Sequence, residues 1–360
     1  MNLANSHSSA PIPTIVLGGT GYVAGELLRL IASHPQLELA AVLSDSQPGA
    51  LVSAAFPHLS SAYPQLQFAS IEAVEAAVRA HRQCALFAAA PHGVAAAIID
   101  RMLNAAEAAG TRLHCVDTSA DFRYRSAAAY EAVYLHDHGA PARIADFTCA
   151  LPEHLAHSPT PHIAHPGCFA TAILLASVPL LASGVTDTRL FVTGITGSTG
   201  SGRKPLEATH HPLRHSDLYT YSALNHRHVP EITACAKLAT GIDAEFNFVP
   251  HSGPFARGIH VTVQATLNKT LRSAQLLEVF AEYYKDCRFV RVTQAAPRIK
   301  DIVSSNYAHL SATMNGQSIA VMVVLDNLNK GAAGGALQWM NRLLGFAEHT
   351  GLSAPAPGWT

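Results

Sequence analysis

The chain has 360 residues and a mass of 38.1 kDa, which exceeds the usual size of one domain and predicts two lobes or one large α/β unit. Hydrophobic residues make up 49% and charged residues 14%, a balance that excludes a disordered tail protein, a coiled coil and a collagen-like repeat. The formal charge of −1 gives no overall positive field, so we expect no nucleic-acid partner and no anionic-membrane partner.

The first half alternates short apolar runs with helical periodicity. Residues 13–17 are a predicted strand that ends in a glycine turn, and helical periodicity follows as far as Ile31. Further strands are predicted at 37–44, 84–90 and 113–117, with helices at 71–81 and 94–109. This alternation predicts an α/β fold with a doubly wound parallel sheet, the Rossmann type.

The pattern changes after about residue 165. A long apolar helix is predicted from Phe169, followed by strands at 190–195, 245–249, 258–267 and 309–314. Asn315-Gly316 separates the last of these from a further apolar run at 318–325, which is typical of a hairpin. We therefore predict an α+β second lobe with a mixed, largely antiparallel sheet. A final helix at 332–346 is expected to pack back on the first lobe.

The glycine turn after the first strand is a candidate dinucleotide site. Gly19-Thr20-Gly21-Tyr22-Val23-Ala24 fits the GxGxxA pattern, in which glycines let the backbone approach a pyrophosphate at a helix N-terminus. A turn that serves only chain reversal is the alternative, and the β-α-β context favours the dinucleotide. Ser44-Asp45-Ser46 ends the second strand, where a carboxylate binds a ribose 2′-hydroxyl and an arginine favours a 2′-phosphate. No arginine is present there.

The six cysteines are widely spread with no CxxC pair, which predicts a reduced, cytosolic protein. Cys168 alone follows a Pro-Gly turn at the start of an apolar helix, whose N-terminus stabilises a thiolate and lowers the thiol pKa. The other five are predicted to be buried structural thiols. The polar opening 1–11 has no apolar core, so it is interpreted as a frayed tail rather than an export signal, and no transmembrane segment is predicted.

A histidine-rich segment, 225–231, carries the second set of candidates. It places His226, His228 and Glu231 within about one turn of chain. A histidine beside a cysteine accepts the thiol proton and later donates a proton to a developing alkoxide, while a glutamate fixes its tautomer. Spacing alone leaves open whether His226 or His228 does this. The HxH spacing lacks the partners of a zinc site, so we predict no metal.

Two segments that follow predicted strands are candidates for anion binding. Residues 196–204 combine a flexible backbone and hydroxyls such as that of Ser198 with the cations Arg203 and Lys204. Residues 119–123 place Arg123 at the carboxyl end of a strand. The alternatives are a mobile loop with solvated charges for the first segment and an exposed pair of Asp121 with Arg123 for the second.

Taken together, these segments resemble the N-acetyl-gamma-glutamyl-phosphate reductase family of the semialdehyde dehydrogenase superfamily. The resemblance runs in unchanged order from Pro13 to about Leu352, through GGTGYVAGELLRLIASHP, APHG, DTSADFR, HPGCFATA, GSGRKP, HRHVPEI, FVPHSGPFARGI and DNLNKGAAGGALQ. It implies NADPH-dependent reduction of N-acetyl-gamma-glutamyl phosphate to the 5-semialdehyde with phosphate release, in arginine biosynthesis. The implied protein is a cytoplasmic homodimer or homotetramer with a small-molecule acyl-phosphate substrate.

The resemblance also assigns roles to residues and boundaries to domains. It implies a dinucleotide-binding domain over 1–164, a catalytic and dimerisation domain over 165–328, and a closing C-terminal helix within 329–360. Cys168 matches the nucleophile that forms a thioester, and His226 matches the acid/base. The implied cofactor positions are Gly18, Gly19, Thr20, Gly21, Tyr22, Val23, Ser44, Pro91, His92, Gly93, Asn327 and Gly331. The expected substrate positions are Arg123, Ser198, Arg203, Lys204 and His228.

Two departures from the family pattern leave alternatives open for the cofactor and for the substrate. Members of the family typically carry a TSR-like sequence after the second strand that suits NADP, whereas Ser44-Asp45-Ser46 stands here, so NAD remains an alternative. Some stretches also resemble lysine-pathway relatives that act on a substrate held by an amino-group carrier protein, which makes such a carrier a candidate partner. The motifs are also compatible with an aspartate-semialdehyde dehydrogenase and with a non-catalytic dinucleotide sensor.

Overall fold

A computed structural model describes residues 10–358. The first nine residues, which hold most of the predicted frayed tail, and the last two lie outside the described residues. None of the helices within residues 10–358 combines the length and the apolar character that a bilayer crossing needs.

The first lobe is built on six parallel strands. They are β1 (Ile12–Leu17), β2 (Leu37–Val42), β3 (Gln83–Ala88), β4 (Arg112–Asp117), β5 (Phe147–Cys149) and β6 (His162–Ala164). Their order is β2-β1-β3-β4-β6-β5. Because the order reverses direction between β1 and β3, a crevice opens at the carboxyl ends of these two strands, as in other doubly wound sheets.

Helices cover both faces of this sheet. They are α1 (Tyr22–Ala32), α2 (Val52–Ala55), α3 (Ile71–Arg79), α4 (Ala95–Ala109) and α5 (Ala127–Tyr134). One buried apolar cluster joins α3 and α4 to one face, and a second joins α1 to the other. The second cluster includes the C-terminal helix α10 (Gly334–Leu343), and the indole Nε1 of Trp339 donates to the carbonyl of Ala150 at 2.8 Å. Helix α10 therefore packs on the parallel sheet.

The second lobe is built on a seven-stranded mixed sheet. Its strands are β7 (Arg189–Thr196), β8 (Tyr219–Thr220), β9 (Glu245–Ser252), β10 (Ile259–Thr266), β11 (Val290–Val292), β12 (Ala308–Asn315) and β13 (Ser318–Leu325). Their order is β11-β12-β13-β10-β7-β9-β8. Two neighbouring pairs, β7 with β9 and β11 with β12, are parallel, and the other four are antiparallel. The predicted hairpin is confirmed, since Asn315 pairs with Ser318 across the Asn-Gly turn.

Four helices belong to the second lobe. They are α6 (Cys168–Ser183), α7 (His211–Arg214), α8 (Val229–Thr240) and α9 (Ser273–Tyr283). Helix α6 is buried along almost its whole length between the sheet, α8 and α9. A helix that is apolar on every face is stable when it is packed on all sides, and the start of α6 lies at the junction with the first lobe.

The predicted fold class is confirmed, whereas the helices α5, α8 and α9 and several short strands were not predicted. Strands β5, β6 and β11 have three residues each, too few to show alternation. The predicted C-terminal helix is preceded by a π-helical turn over Asn329–Ala333, which leads from β13 into α10.

Candidate active site

A cavity of about 1220 Å³ opens where the carboxyl ends of the parallel strands face the second lobe. Both lobes line it. The first lobe contributes the glycine turn after β1, the turn after β2 and the turn at Pro91. The second contributes the start of α6, the loop after β7, the histidine segment before α8, and the π-helical turn before α10. Among residues 10–358, this cavity gathers most of the predicted site residues.

The glycine turn fits a bound pyrophosphate. Gly18 has φ +77°, and a β-carbon there would lie 2.4 Å from the backbone nitrogen of Ala90. Gly21 caps α1 without any side-chain hydrogen bond, so the first backbone N–H groups of this eleven-residue helix are free for a ligand. Gly18, Gly19, Thr20, Gly21, Tyr22 and Val23 all line the cavity.

The turn after β2 forms the far end of the same cavity. Ser44, Asp45 and Ser46 line it, with Ser44 buried and Asp45 exposed. The hydroxyls of Ser44 and Ser46 lie 3.3 Å apart. In a doubly wound sheet this end receives the adenosine ribose of a dinucleotide.

Cys168 is the first residue of α6 and lies at the other end of the cavity. A β-carbon on Gly331 would lie 2.7 Å from the β-carbon of Cys168, so the π-helical turn closes against the cysteine. Burial raises the pKa of the Cys168 thiol, while the charge of Arg123 and the backbone N–H of Phe169 lower it by less. The expectation of a lowered pKa was therefore wrong for the protein without its ligands, because desolvation outweighs the helix terminus.

A buried ion pair holds the turn that precedes Cys168. Glu231 accepts the N–H of Gly167 at 2.8 Å with one oxygen and the Nη1 of Arg123 at 3.1 Å with the other. Arg123 also donates to the carbonyls of His165 and Thr118, each at 3.0 Å. Glu231 was expected to fix a histidine tautomer and Arg123 to bind substrate. Both are instead committed to the backbone around the nucleophile, although Arg123 still borders the cavity.

The two histidines of the HRH segment take different positions. The Nδ1 of His226 accepts the backbone N–H of His228 at 3.2 Å, which leaves the proton of the neutral ring on Nε2. Burial, reinforced by Arg227, lowers the pKa of His226 to about 4. The expected transfer of the thiol proton to His226 does not fit this geometry, because the ring is a weak base that presents a donor.

His228 borders the cavity beside the nucleophile. Its ring lies against Gly167, where a β-carbon would come within 2.7 Å of Nε2. Burial lowers its pKa well below the usual value, with further contributions from His226 and Arg123. The ring of His226 lies behind it, edge-on to Phe169 and Tyr221 at centroid distances of 5.9 and 5.6 Å.

Two turns of the first lobe border the middle of the cavity. Pro91 and His92 line it, whereas Gly93, with φ +83°, is placed behind them and donates to Asp121 at 2.8 Å. Asp121 also accepts the N–H of Ala96 at 2.9 Å and so caps the start of α4. The interpretation of Asp121 as an exposed partner of Arg123 was wrong, because its carboxylate is buried on this helix.

The loop after β7 is held at its base, and its cations Arg203 and Lys204 border the cavity. The hydroxyl of Thr199 donates to the carbonyl of Ala256 at 2.6 Å and accepts the amide of Asn327 at 2.9 Å. Residues 199–204 line the cavity, whereas Ser198 does not. Asn327 and Gly331 border it from the second lobe.

Sequence reasoning gave no role to Arg227. It lines the cavity between the two histidines, and its guanidinium lies 5.9 Å from the ring centre of Tyr134, another lining residue. Among residues 10–358 it makes no ion pair. The sequence signal that could have identified Arg227 is its position between the two histidines of the HRH motif.

Comparison with family models defines the class. The semialdehyde dehydrogenase NAD binding domain matches residues 14–165, and the semialdehyde dehydrogenase dimerisation domain matches residues 168–327. The two models meet at the turn that carries the nucleophile candidate, and together they span most of the chain. The class that the fold and the cavity define is therefore the semialdehyde dehydrogenases.

Comparison with curated proteins narrows the class. An N-acetyl-gamma-glutamyl-phosphate reductase of Pseudomonas putida is 37% identical over 350 residues, covering 94% of this chain and 97% of its own. One of Methanopyrus kandleri is 35% identical over 349 residues, with the same shares. The chain belongs to the N-acetyl-gamma-glutamyl-phosphate reductase family. The predicted family and the predicted oxidoreductase class are confirmed.

Solved structures confirm the fold. Aspartate semialdehyde dehydrogenase II of Vibrio cholerae superposes with a TM-score of 0.67 at 14% identity, over 93% of this chain and 98% of the other. The aspartate semialdehyde dehydrogenase of Candida albicans superposes with a TM-score of 0.66 at 14% identity, over 95% and 100%. At this identity the likeness concerns the fold alone.

Proposed function

We propose that the protein reduces N-acetyl-gamma-glutamyl phosphate to N-acetylglutamate 5-semialdehyde with release of phosphate, and that NADPH is the reductant. The observation that carries the proposal is the thiol of Cys168 at the start of α6, placed at one end of a cavity whose other end is a dinucleotide turn. The names of the relatives support the substrate.

The thiol is the group that takes the acyl chain. The sulfur of Cys168 attacks the carbonyl carbon, the bond from that carbon to the phosphate oxygen breaks, and phosphate leaves with the electron pair. A thioester on Cys168 is the product of this step, and the thiol proton passes to solvent. When bound, the reduced nicotinamide supplies the two electrons that convert the thioester to the aldehyde level, after which the sulfur leaves.

We assign to His226 the stabilisation of the oxygen that becomes negative during both steps. Its Nδ1 accepts the N–H of His228, so Nε2–H is the donor that it would present to the reacting carbonyl, although His228 and not His226 borders the cavity. A neutral imidazole can polarise a carbonyl as a hydrogen-bond donor. The backbone N–H groups at the start of α6 are the second source of donors.

Arg227 is our candidate for the anionic part of the substrate. It borders the cavity beside His228 and makes no ion pair among the described residues. Its guanidinium can bind a phosphate or a carboxylate through paired N–H groups. Arg123 supports this region indirectly, since three of its N–H groups are used by protein oxygens.

We also propose the assembly, the division and the place of action of the protein. The dimerisation domain supports a homodimer or a homotetramer. We divide the chain at residues 164 and 328, with α10 closing the first lobe. A cytoplasmic location suits a catalytic thiol and five further free cysteines, which a reducing compartment preserves. The names of the relatives give no support to a carrier-protein partner.

The test is a steady-state assay in the reverse direction. N-acetylglutamate 5-semialdehyde and aspartate semialdehyde are each supplied with phosphate and either NADP⁺ or NAD⁺, and formation of reduced nucleotide is followed by absorbance. We expect kcat/KM to be roughly 10²-fold or more higher for the N-acetylated aldehyde, since a site that binds an acyl group loses that binding energy with a substrate lacking it. A preference for aspartate semialdehyde would contradict the proposal.

A further inference from the structure

The ribose end of the cavity carries a negative charge from its own lobe. Asp45 lies exposed in the turn after β2 and lines the cavity. The first lobe contributes one lysine or arginine to the cavity wall, Arg123, and that guanidinium is bound to Glu231. The described part of the first lobe therefore supplies no free cation to hold a phosphate on the adenosine ribose.

The cations at this end come from the second lobe. Arg203, on the loop after β7, donates to the carbonyl of Thr20 at 3.2 Å and to the carbonyl of Ala55 at 2.9 Å. Its guanidinium lies 5.1 Å from the ring centre of Phe56. Thr20 belongs to the glycine turn, and Ala55 ends α2, which follows the turn at Asp45. Arg203 thus spans the two segments that border the ribose end.

Arg203 lies far from the nucleophile. Its contacts follow β1 and β2, whereas Cys168 follows β6, which is three strands away from β1 in the sheet. At about 4.8 Å per strand, this separates the two ends by roughly 14 Å. The contacts that Arg203 makes in this structure therefore lie at the dinucleotide end of the cavity rather than beside Cys168.

Neither Arg203 nor Lys204 forms an ion pair within residues 10–358, and both line the cavity. A guanidinium has five N–H groups, of which Arg203 uses two on carbonyls. A 2′-phosphate adds roughly two negative charges near neutral pH. We propose that Arg203 and Lys204 bind the 2′-phosphate of NADPH from the second lobe and so set the preference for NADPH over NADH. This inference rests on the proposed function, which names NADPH.

The loop geometry fixes where these cations act. Thr199 ties the loop base to Ala256 and Asn327 in the second lobe, and Gly202, with φ +84°, turns the chain toward the first lobe. The second lobe thus binds the 2′-phosphate of a dinucleotide that the first lobe holds. Asp45 opposes it from the first lobe, since its carboxylate repels a 2′-phosphate and can instead bind the hydroxyls of NADH.

The test measures dissociation constants of NADPH and NADH without substrate, by nicotinamide fluorescence. For Lys204→Ala and Arg203→Ala we expect the constant for NADPH to rise roughly tenfold or more, because each loses a charge-assisted contact, with the constant for NADH changed by less than about twofold. Asp45→Ala should tighten NADPH and weaken NADH. Lys269→Ala removes an exposed lysine outside the cavity and should change neither constant.

Four results would overturn the inference. Equal weakening of both nucleotides in Lys204→Ala would assign the lysine to the pyrophosphate. No weakening in either variant would remove both cations from the cofactor site. If the wild-type protein turns over the acyl phosphate but binds NADH more tightly than NADPH, the inference fails while the proposed reaction stands. If the wild-type protein binds neither nucleotide, the proposed reaction fails as well.

Discussion

The two ends of the cavity are built by different means. At the dinucleotide end, six consecutive residues, 18–23, form the cradle with backbone atoms, and glycines create the space. At the thiol end, distant segments meet around Cys168, with the side chains of Arg123 and Glu231 on one side and the backbone of Gly331 on the other. The difference teaches that binding a pyrophosphate needs a local backbone shape, whereas positioning one sulfur atom needs a buried network. Variants at the two ends should therefore fail in different ways.

The largest effect is expected from Cys168→Ala. Loss of the sulfur removes the covalent route, so kcat should fall by roughly 10⁴-fold or more. NADPH binding, measured by fluorescence titration, should stay within about twofold, since the dinucleotide cradle lies at the other end. Cys287→Ala removes a partly exposed thiol outside the cavity and should keep full turnover. Turnover retained in Cys168→Ala would reject the covalent route.

The second-largest effect is a loss of stability when the ion pair between Arg123 and Glu231 is broken. Arg123 and Glu231 have side chains 8% and 0% exposed, so Glu231→Gln leaves a buried, unpaired guanidinium. We expect a loss of about 3–5 kcal/mol in the free energy of unfolding, measured with urea. Glu245→Gln breaks the exposed pair with Arg189 and should leave the free energy of unfolding nearly unchanged. Equal losses in the two variants would show that the buried pair is no stronger than the surface pair.

Gly331→Ala tests how closely the π-helical turn must pack against Cys168. A β-carbon at Gly331 would lie 2.7 Å from that of Cys168 and 3.1 Å from its Cα, so the start of α6 must shift. A displacement of about 1 Å should lower kcat by roughly 10²-fold. Gly316→Ala is the control, because its φ of +58° strains the backbone with no atom within 4 Å of the added carbon. It should cost stability and leave kcat unchanged, and an equal kcat in both variants would contradict the account.

The smallest effect is a pH dependence of thiol reactivity. The pKa of Cys168 is raised by burial above its usual value near 9, and the thiolate fraction grows as pH rises toward that pKa. Alkylation of Cys168 by iodoacetamide, followed by peptide mass spectrometry, should accelerate roughly tenfold per pH unit between about pH 7 and 9. His226→Gln should leave this profile unchanged, because a ring with a pKa of about 4 is neutral throughout the range. A plateau below about pH 8 would mean that the helix terminus outweighs burial.

The fold was largely predictable because its signals are local. Alternating apolar runs and the Asn315-Gly316 turn gave the parallel sheet and the hairpin. The helices α5, α8 and α9, the three-residue strands and the π-helical turn were missed. The strands are too short to show alternation, and the π-helical turn packs against Cys168, which is distant in sequence.

The parts of the site that lie within one contiguous motif could be predicted from the sequence. The glycine turn and the position of Cys168 at a helix start follow from contiguous residues. The partners of Glu231 could not be predicted, because Gly167 and Arg123 lie 64 and 108 residues away along the chain. The sign of the Cys168 pKa shift was missed for a similar reason. A helix terminus is visible in sequence, whereas the desolvation that opposes it depends on both lobes.

The covalent step itself is the most direct test of the central claim. The protein is mixed with N-acetyl-gamma-glutamyl phosphate in the absence of any dinucleotide, quenched in acid, and digested for mass spectrometry while released phosphate is assayed. We expect one acyl group on the peptide that contains Cys168 and an equal amount of phosphate, before any reduction takes place. An unmodified Cys168 peptide, with phosphate released only when NADPH is added, would contradict it.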